Sequence, residues 1–262
     1  MSLKWFHIFI SEFNFFQHLK NPTMEKKLKC ILLHHKNPYL KLGPFKLDLK
    51  HQNPEIALFH DFGSPKETNQ MIDLVKGNMK STPYDQHGEL VDFTKDRTSK
   101  MKWINESLVP EAMPMVFSKR IELAMKLNLR SEPWASENFQ IMNYGIGGKI
   151  SGHVDEGGYD AYEFRMNKGG PRIPTFMIYL SSVEVGGHTV FPQPGISVKP
   201  VKGSALFWWN MGPQDNYDSR ICHLGCPVLY GNKWIANKWV KLLANFKTAP
   251  CSLEDKHYSI LK

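Results

Sequence analysis

From Phe139 onward the chain is a succession of short apolar runs punctuated by glycine and proline, and that punctuation limits the fold more than any other feature. Ile173-Pro174-Thr175-Phe176-Met177-Ile178-Tyr179-Leu180 and Gly203-Ser204-Ala205-Leu206-Phe207-Trp208-Trp209-Asn210 are rich in β-branched and aromatic residues, and they read as buried strands. Many short strands in series satisfy their backbone hydrogen bonds by closing into a sandwich or barrel. The expected core is therefore a double-stranded β-helix, or jelly roll, over about residues 138–245.

Upstream of that core the pattern is mixed. Ile56-Ala57-Leu58-Phe59 reads as a strand, and Ser64-Pro65 opens a helix to about Lys76, with Ser64 as N-cap and Pro65 in the first turn. A second helix is predicted from Met115 to Leu127, its apolar positions Val116, Ile121, Leu123, Ala124 and Leu127 forming core. The fold class expected is β-rich α+β, a jelly-roll barrel flanked by N-terminal helices.

Residues 1–30 read as an N-terminal extension and 31–262 as one domain. Phe6-His7-Ile8-Phe9-Ile10 and Phe13-Asn14-Phe15-Phe16 are too short for a membrane span and lack the order of a secretory signal, leaving an amphipathic helix as the expectation. At 262 residues and 42% hydrophobic content the chain can bury a full core. Its net charge of +8 comes from scattered lysines without a nucleic-acid motif, so the basic surface is read as a solvated face and no nucleic-acid partner is expected.

The candidate chemistry centres on His153, Asp155 and His223. Alternate residues of a strand point the same way, so His153 and Asp155 can reach one ion while Val154 points elsewhere. A His-x-Asp pair with a distant third histidine supplies two imidazoles and one carboxylate, the facial triad that leaves positions open for substrate and dioxygen at iron. His-x-Asp alone arises often by chance, and the surrounding runs carry the weight. These are Asn143-Tyr144-Gly145-Ile146-Gly147-Gly148, Gly186-Gly187-His188-Thr189-Val190-Phe191-Pro192, His223-Leu224-Gly225-Cys226-Pro227-Val228 and Gly231-Asn232-Lys233-Trp234.

In that order the runs resemble the catalytic domain of the collagen prolyl 4-hydroxylase alpha subunits, iron(II) and 2-oxoglutarate dioxygenases, from about Asn138 to Cys251 and more weakly back to Cys30. The resemblance implies that His153, Asp155 and His223 bind Fe(II) and that Lys233 pairs with the distal carboxylate of 2-oxoglutarate. A dicarboxylate in an apolar pocket requires such a cation. Trp234 and Tyr230 are expected to surround that ammonium. Tyr144 and Thr189 are implied as further co-substrate contacts and Trp239 as a neighbour, although strand aromatics and β-branched residues equally form core. His188 is read as a loop or strand-surface histidine, Cys222 as packed rather than ligating, and Trp103 in Arg97-Thr98-Ser99-Lys100-Met101-Lys102-Trp103 as a packing residue.

The activity implied is hydroxylation of proline to 4-hydroxyproline in X-Pro-Gly chains, coupled to oxidative decarboxylation of 2-oxoglutarate to succinate and CO2 by O2, with L-ascorbate as reductant. Collagen-like peptide is the implied substrate, a protein disulfide isomerase beta subunit the implied partner, and the endoplasmic reticulum lumen the implied compartment. By likeness Cys226 pairs with Cys251, and Cys30 matches a cysteine whose partner lies upstream. The family's upstream dimerisation and peptide-binding domains do not fit in the residues before Cys30. Ile150 stands where the family has a tyrosine that positions peptide, which motivates an alternative: a catalytically silent member acting as a binding or regulatory module.

Overall fold

The computed structural model describes residues 30–81, 98–106, 113–130, 134–155, 169–212, 217–248 and 259–261. The expected amphipathic helix of residues 1–30 lies outside them, except for Cys30.

A nine-stranded antiparallel sheet forms the body of the molecule. Its hydrogen-bonded order is β1 (Cys30–Leu33), β2 (Phe45–Gln52), β3 (Glu55–His60), β12 (Ala205–Trp209), β8 (Arg172–Tyr179), β15 (Lys233–Lys241), β6 (Phe139–Tyr144), β5 (Lys100–Ile104) and β4 (Lys80–Ser81). A four-stranded sheet runs β11 (Ile196–Val198), β10 (Thr189–Phe191), β13 (His223–Gly225), β7 (Ile150–His153), and a two-stranded ribbon pairs β14 (Val228–Tyr230) with β9 (Val185–Gly186).

β8 shows how the pattern builds the core. It sits between β12 and β15 and is buried from Ile173 to Tyr179, which explains its nearly unbroken apolar run. Its side chains alternate between two clusters. Phe176 and Ile178 join Phe59, Phe207 and Ala236 on one face. Met177 and Tyr179 join Trp208, Ile235, Met142 and Tyr144 on the other, together with Phe191 and Val198 of the smaller sheet. The second face, between the two sheets, carries the candidate site.

The first face is covered by helices. Besides α1 (Pro38–Leu42), these are α2 (Pro65–Asp73) and α3 (Met113–Met125). Ser64 caps α2 as expected: its hydroxyl accepts from the Glu67 amide, and the Glu67 carboxylate accepts from the Ser64 amide. The helix ends at Asp73, short of Lys76. Glu67 also takes Arg120 of α3 in an ion pair of 2.6 Å, joining the two helices. The apolar stripe expected on α3 is corrected in two positions. Phe117, Ile121, Ala124 and Met125 are buried, whereas Val116 and Leu123 are 38% and 47% exposed, because 117, 121 and 124 share one side of a 3.6-residue turn and 116 and 123 lie off it. Among the described residues no helix is long and apolar enough to cross a membrane.

Candidate metal centre

The site is a product of strand register. β13 pairs with β7 so that His223 stands directly opposite His153. The two imidazole centroids are 4.3 Å apart, and Asp155, two residues past the end of β7, turns its carboxylate between them. Its Oδ1 is 3.7 Å from His153 Nε2 and its Oδ2 is 3.9 Å from His223 Nε2. These separations are too long for hydrogen bonds. Two donors bonded to one ion at about 2.1 Å stand about 3 to 3.6 Å apart, and one ligand atom from each residue lies within 4.8 Å of the others.

Both imidazoles are set in the ligating tautomer. His153 Nδ1 is 2.8 Å from the Ser151 carbonyl and His223 Nδ1 is 3.1 Å from the Ile221 carbonyl. A carbonyl only accepts, so the proton sits on Nδ1 and the Nε2 lone pair faces the centre. The carboxylate is oriented too: Thr175 Oγ1 donates to Asp155 Oδ2 at 2.7 Å, and Asn210 Nδ2 donates to Thr175 Oγ1 at 2.9 Å. Burial alone would raise the Asp155 carboxyl, but His223, His153 and Arg172 and the Thr175 hydrogen bond outweigh it and hold it ionised. Burial, then the neighbouring His153, push His223 below its ordinary value toward the neutral form, the form that binds metal. Cys222 and His188 lie outside the three-residue cluster.

Lys233 begins β15 opposite Tyr144 of β6 and is 3% exposed. Its Nζ donates to Thr189 Oγ1 at 3.2 Å, and Tyr179 Oη donates to the same oxygen at 2.8 Å. The Tyr144 and Tyr179 ring centroids are 5.6 and 5.9 Å from Nζ. The expected surroundings are thus corrected. Trp234, the next residue on the strand, packs against the opposite cluster because successive strand residues face opposite ways, and Tyr230, at the end of β14, is 64% exposed. Burial pulls the Lys233 ammonium down to about 8; among the described residues no carboxylate pairs with it.

One cavity joins these groups. Lys233, Ile235, Asn237 and Trp239, alternate residues of β15, line it with Tyr144, Thr189, Trp208 and the triad. Three buried polar atoms on its walls have no hydrogen-bond partner among the described residues: Trp208 Nε1, Asn237 Oδ1 and Trp239 Nε1. Buried polar groups are ordinarily satisfied, so these await a polar occupant. At Gly225 a Cβ would meet Ile150 Cγ2 at 2.9 Å and Lys233 Nζ at 3.6 Å, so glycine keeps the space beside the lysine open. Two imidazole nitrogens, one carboxylate, an isolated buried ammonium and orphaned polar atoms suit a hard divalent ion such as Fe(II) and a dicarboxylate together.

Sequence reasoning did not find Thr175, Tyr179, Trp208, Asn210 or Asn237. Thr175 and Asn210 were visible as polar residues inside or ending apolar strand runs. Trp103, expected to pack, is 39% exposed, with its ring 5.7 Å from that of Trp239. Arg172, bound to Glu137 at 2.6 Å, holds its guanidinium carbon 3.9 Å from the Trp239 ring centroid. Cys226 is buried and forms no disulfide among the described residues; Cys251, its expected partner, lies outside them.

Residues 139–241 match the family model of the 2OG-Fe(II) oxygenase superfamily. Within it the likeness is to prolyl 4-hydroxylase alpha subunits. The chain is 37% identical over 233 residues to prolyl 4-hydroxylase subunit alpha-3 of Homo sapiens, covering 88% of this chain and 42% of that protein. It is 34% identical over 237 residues to subunit alpha-1 of Gallus gallus, covering 89% and 45%. The chain therefore spans less than half the length of these curated relatives. A solved structure of a viral collagen prolyl hydroxylase from Paramecium Bursaria Chlorella virus-1, a 2OG complex, superposes with a TM-score of 0.52 at 25% identity, covering 71% of this chain and 94% of that one.

Proposed function

We propose that this chain is an Fe(II)- and 2-oxoglutarate-dependent dioxygenase that converts peptidyl proline to 4-hydroxyproline in collagen-like X-Pro-Gly chains. The observation that carries the reading is the opposition of His153 and His223 around Asp155, in one cavity with the buried cation Lys233. Fe(II) held there supplies the oxygen chemistry that couples oxidative decarboxylation of 2-oxoglutarate, to succinate and CO2, with hydroxylation of an unactivated carbon.

The chain's own groups do the positioning. His153, Asp155 and His223 would hold the metal, and the Asn210–Thr175 relay would keep the carboxylate turned toward it. Lys233 holds the distal carboxylate of 2-oxoglutarate, with the Thr189 hydroxyl and Tyr144 beside it. Thr189 Oγ1 already accepts from Lys233 and Tyr179, which leaves its own hydrogen to donate to that carboxylate. Trp239, held beneath Arg172, forms the wall toward Trp103, where an extended prolyl peptide would lie. Apolar walls at Ile150, Met177 and Ile235 exclude water.

In this reading the two sheets are the halves of a jelly roll, with its core at about 138–245 inside a catalytic domain of residues 31–262 and α2 and α3 as its flanking helices. L-ascorbate would restore the metal after turnover without peptide, a protein disulfide isomerase beta subunit would be the partner, and the endoplasmic reticulum lumen the compartment. Likeness to the prolyl 4-hydroxylase alpha subunits supports each of these. The test is incubation of the purified chain with Fe(II), ascorbate and 2-oxoglutarate, with and without a Pro-Pro-Gly repeat peptide. Peptide-stimulated succinate with hydroxyproline in the product is expected; succinate indifferent to peptide, with no hydroxyproline, would contradict the assigned substrate.

A further inference from the structure

The thioether of Met142 faces the same cavity as the triad and is 1% exposed. Its sulfur is located by two partners that also line the cavity. Tyr144 Oη donates to Met142 Sδ at 3.5 Å, and Asn237 Nδ2 approaches it at 3.9 Å. Thioether sulfur is a weak acceptor, so two good donors converge on an atom that returns little to either. The same atom belongs to one of two readily oxidised thioethers in the cavity wall. Met177 is the second thioether there, without a polar partner among the described residues.

We propose that Met142 is a self-modification site: when 2-oxoglutarate is consumed with no peptide in place, oxygen is delivered to Met142 Sδ and the sulfoxide forms. The inference rests on the iron and 2-oxoglutarate reading above. Thioether, dioxygen and 2-oxoglutarate give sulfoxide, succinate and CO2. One oxygen atom makes the new S–O bond, and the other enters the new carboxylate of succinate as the bond between C1 and C2 of the oxo acid breaks. Sulfur and the oxo acid each give up two electrons, and dioxygen takes up four.

The donors around Met142 give the modification a consequence. A sulfoxide oxygen is a strong acceptor, formed where Tyr144 Oη and Asn237 Nδ2 already point. It engages the Tyr144 hydroxyl that otherwise serves the co-substrate, so the modified protein binds 2-oxoglutarate more weakly. Turnover without peptide would in this way switch itself off.

The experiment is peptide mapping by mass spectrometry of the full chain after incubation with Fe(II), 2-oxoglutarate, air and catalase, without prolyl peptide, with succinate measured in the same samples. The Met142 peptide is expected to gain the mass of one oxygen atom while the partly exposed Met79, Met113 and Met115 do not. The gain should require 2-oxoglutarate and vanish in His153→Ala. Hydrogen peroxide added from outside should reverse the order, reaching the exposed methionines first. Succinate accumulating with Met142 unmodified would overturn the inference and leave the iron reading standing. Absence of succinate without peptide, with succinate formed once a Pro-Pro-Gly repeat peptide is added, would overturn the inference and leave the iron reading standing; absence of succinate in both cases would overturn the iron reading and the inference with it. In Met142→Leu the loss of 2-oxoglutarate affinity during idle turnover should disappear; an equal loss would overturn the role given to Tyr144.

Discussion

His223 stands opposite His153 in the antiparallel pairing of β13 with β7, with their rings 4.3 Å apart. A single backbone register thus brings together ligands far apart in sequence, and a shift of one residue would turn His223 to the other face of its strand. Loss of either imidazole leaves only one imidazole and the Asp155 carboxylate as donors. His153→Ala and His223→Ala should each lower iron content to background and abolish succinate formation, measured as metal per chain after dialysis and as product. Full activity in either variant would contradict the assignment.

Among the described residues Lys233 has no carboxylate partner, and the Tyr144 and Tyr179 rings and the Thr189 hydroxyl stand beside its ammonium. Removing a charged hydrogen-bond partner of a carboxylate costs roughly 1.5 to 3 kcal/mol, so Lys233→Ala should raise the 2-oxoglutarate requirement by on the order of tenfold to a hundredfold. Titration of initial rate against co-substrate checks it; an unchanged requirement would mean that another cation anchors the acid.

The same lysine predicts a pH dependence. In the free protein its ammonium titrates near 8, pulled down by burial. A bound carboxylate favours the charged form and raises that value, so binding above it takes up a proton. Affinity for 2-oxoglutarate should therefore be level below about 8 and fall as the pH rises beyond it, as read by calorimetry in buffers of different ionisation enthalpy.

Glu67 links the cap of α2 to Arg120 of α3. The Arg120 hydrogen bonds, helped by the Ser64 amide and opposed by burial, hold its carboxyl down at about 2. A carboxyl lowered on folding stabilises the native state above its ordinary range near 4.5, and that contribution is lost as the pH falls toward 2. Glu67→Gln should cost on the order of 1 kcal/mol at neutral pH and flatten the acid side of the stability curve, as measured by urea unfolding.

Gly203 adopts φ +82°, and a Cβ there would sit 2.1 Å from the Gly63 carbonyl oxygen. Gly63 N also donates to Gly203 O at 2.9 Å, tying the turn before β12 to the loop before α2. Gly203→Ala combines left-handed strain with a backbone clash and should destabilise the protein by about 2 kcal/mol or more. A lowered midpoint in urea checks it.

The strands after Phe139, the cap at Ser64 and the grouping of the triad residues were legible because they depend on short-range pattern or on residue type. What was not legible depends on direction and pairing. Lys233 was assigned Trp234 and Tyr230 from adjacency in sequence, but strand alternation sends the next side chain across the sheet, and the actual neighbours Tyr144, Tyr179 and Thr189 come from three other strands. Thr175 and Asn210 became meaningful only once β8 and β12 were paired, when their polar side chains met beneath Asp155. The periodicity of α3 gave the helix but rotated its buried face, because Val116 and Leu123 are apolar residues left on the solvent side.

The most direct test is anaerobic equilibrium binding of Fe(II) and 2-oxoglutarate to the purified chain, compared with His223→Ala and Lys233→Ala. Stoichiometric iron is expected in the wild type, with 2-oxoglutarate binding that strengthens when iron is present, loss of iron in His223→Ala, and iron retained with weakened 2-oxoglutarate binding in Lys233→Ala. Iron binding undiminished in His223→Ala, or 2-oxoglutarate binding indifferent to both substitutions, would contradict the site assignment.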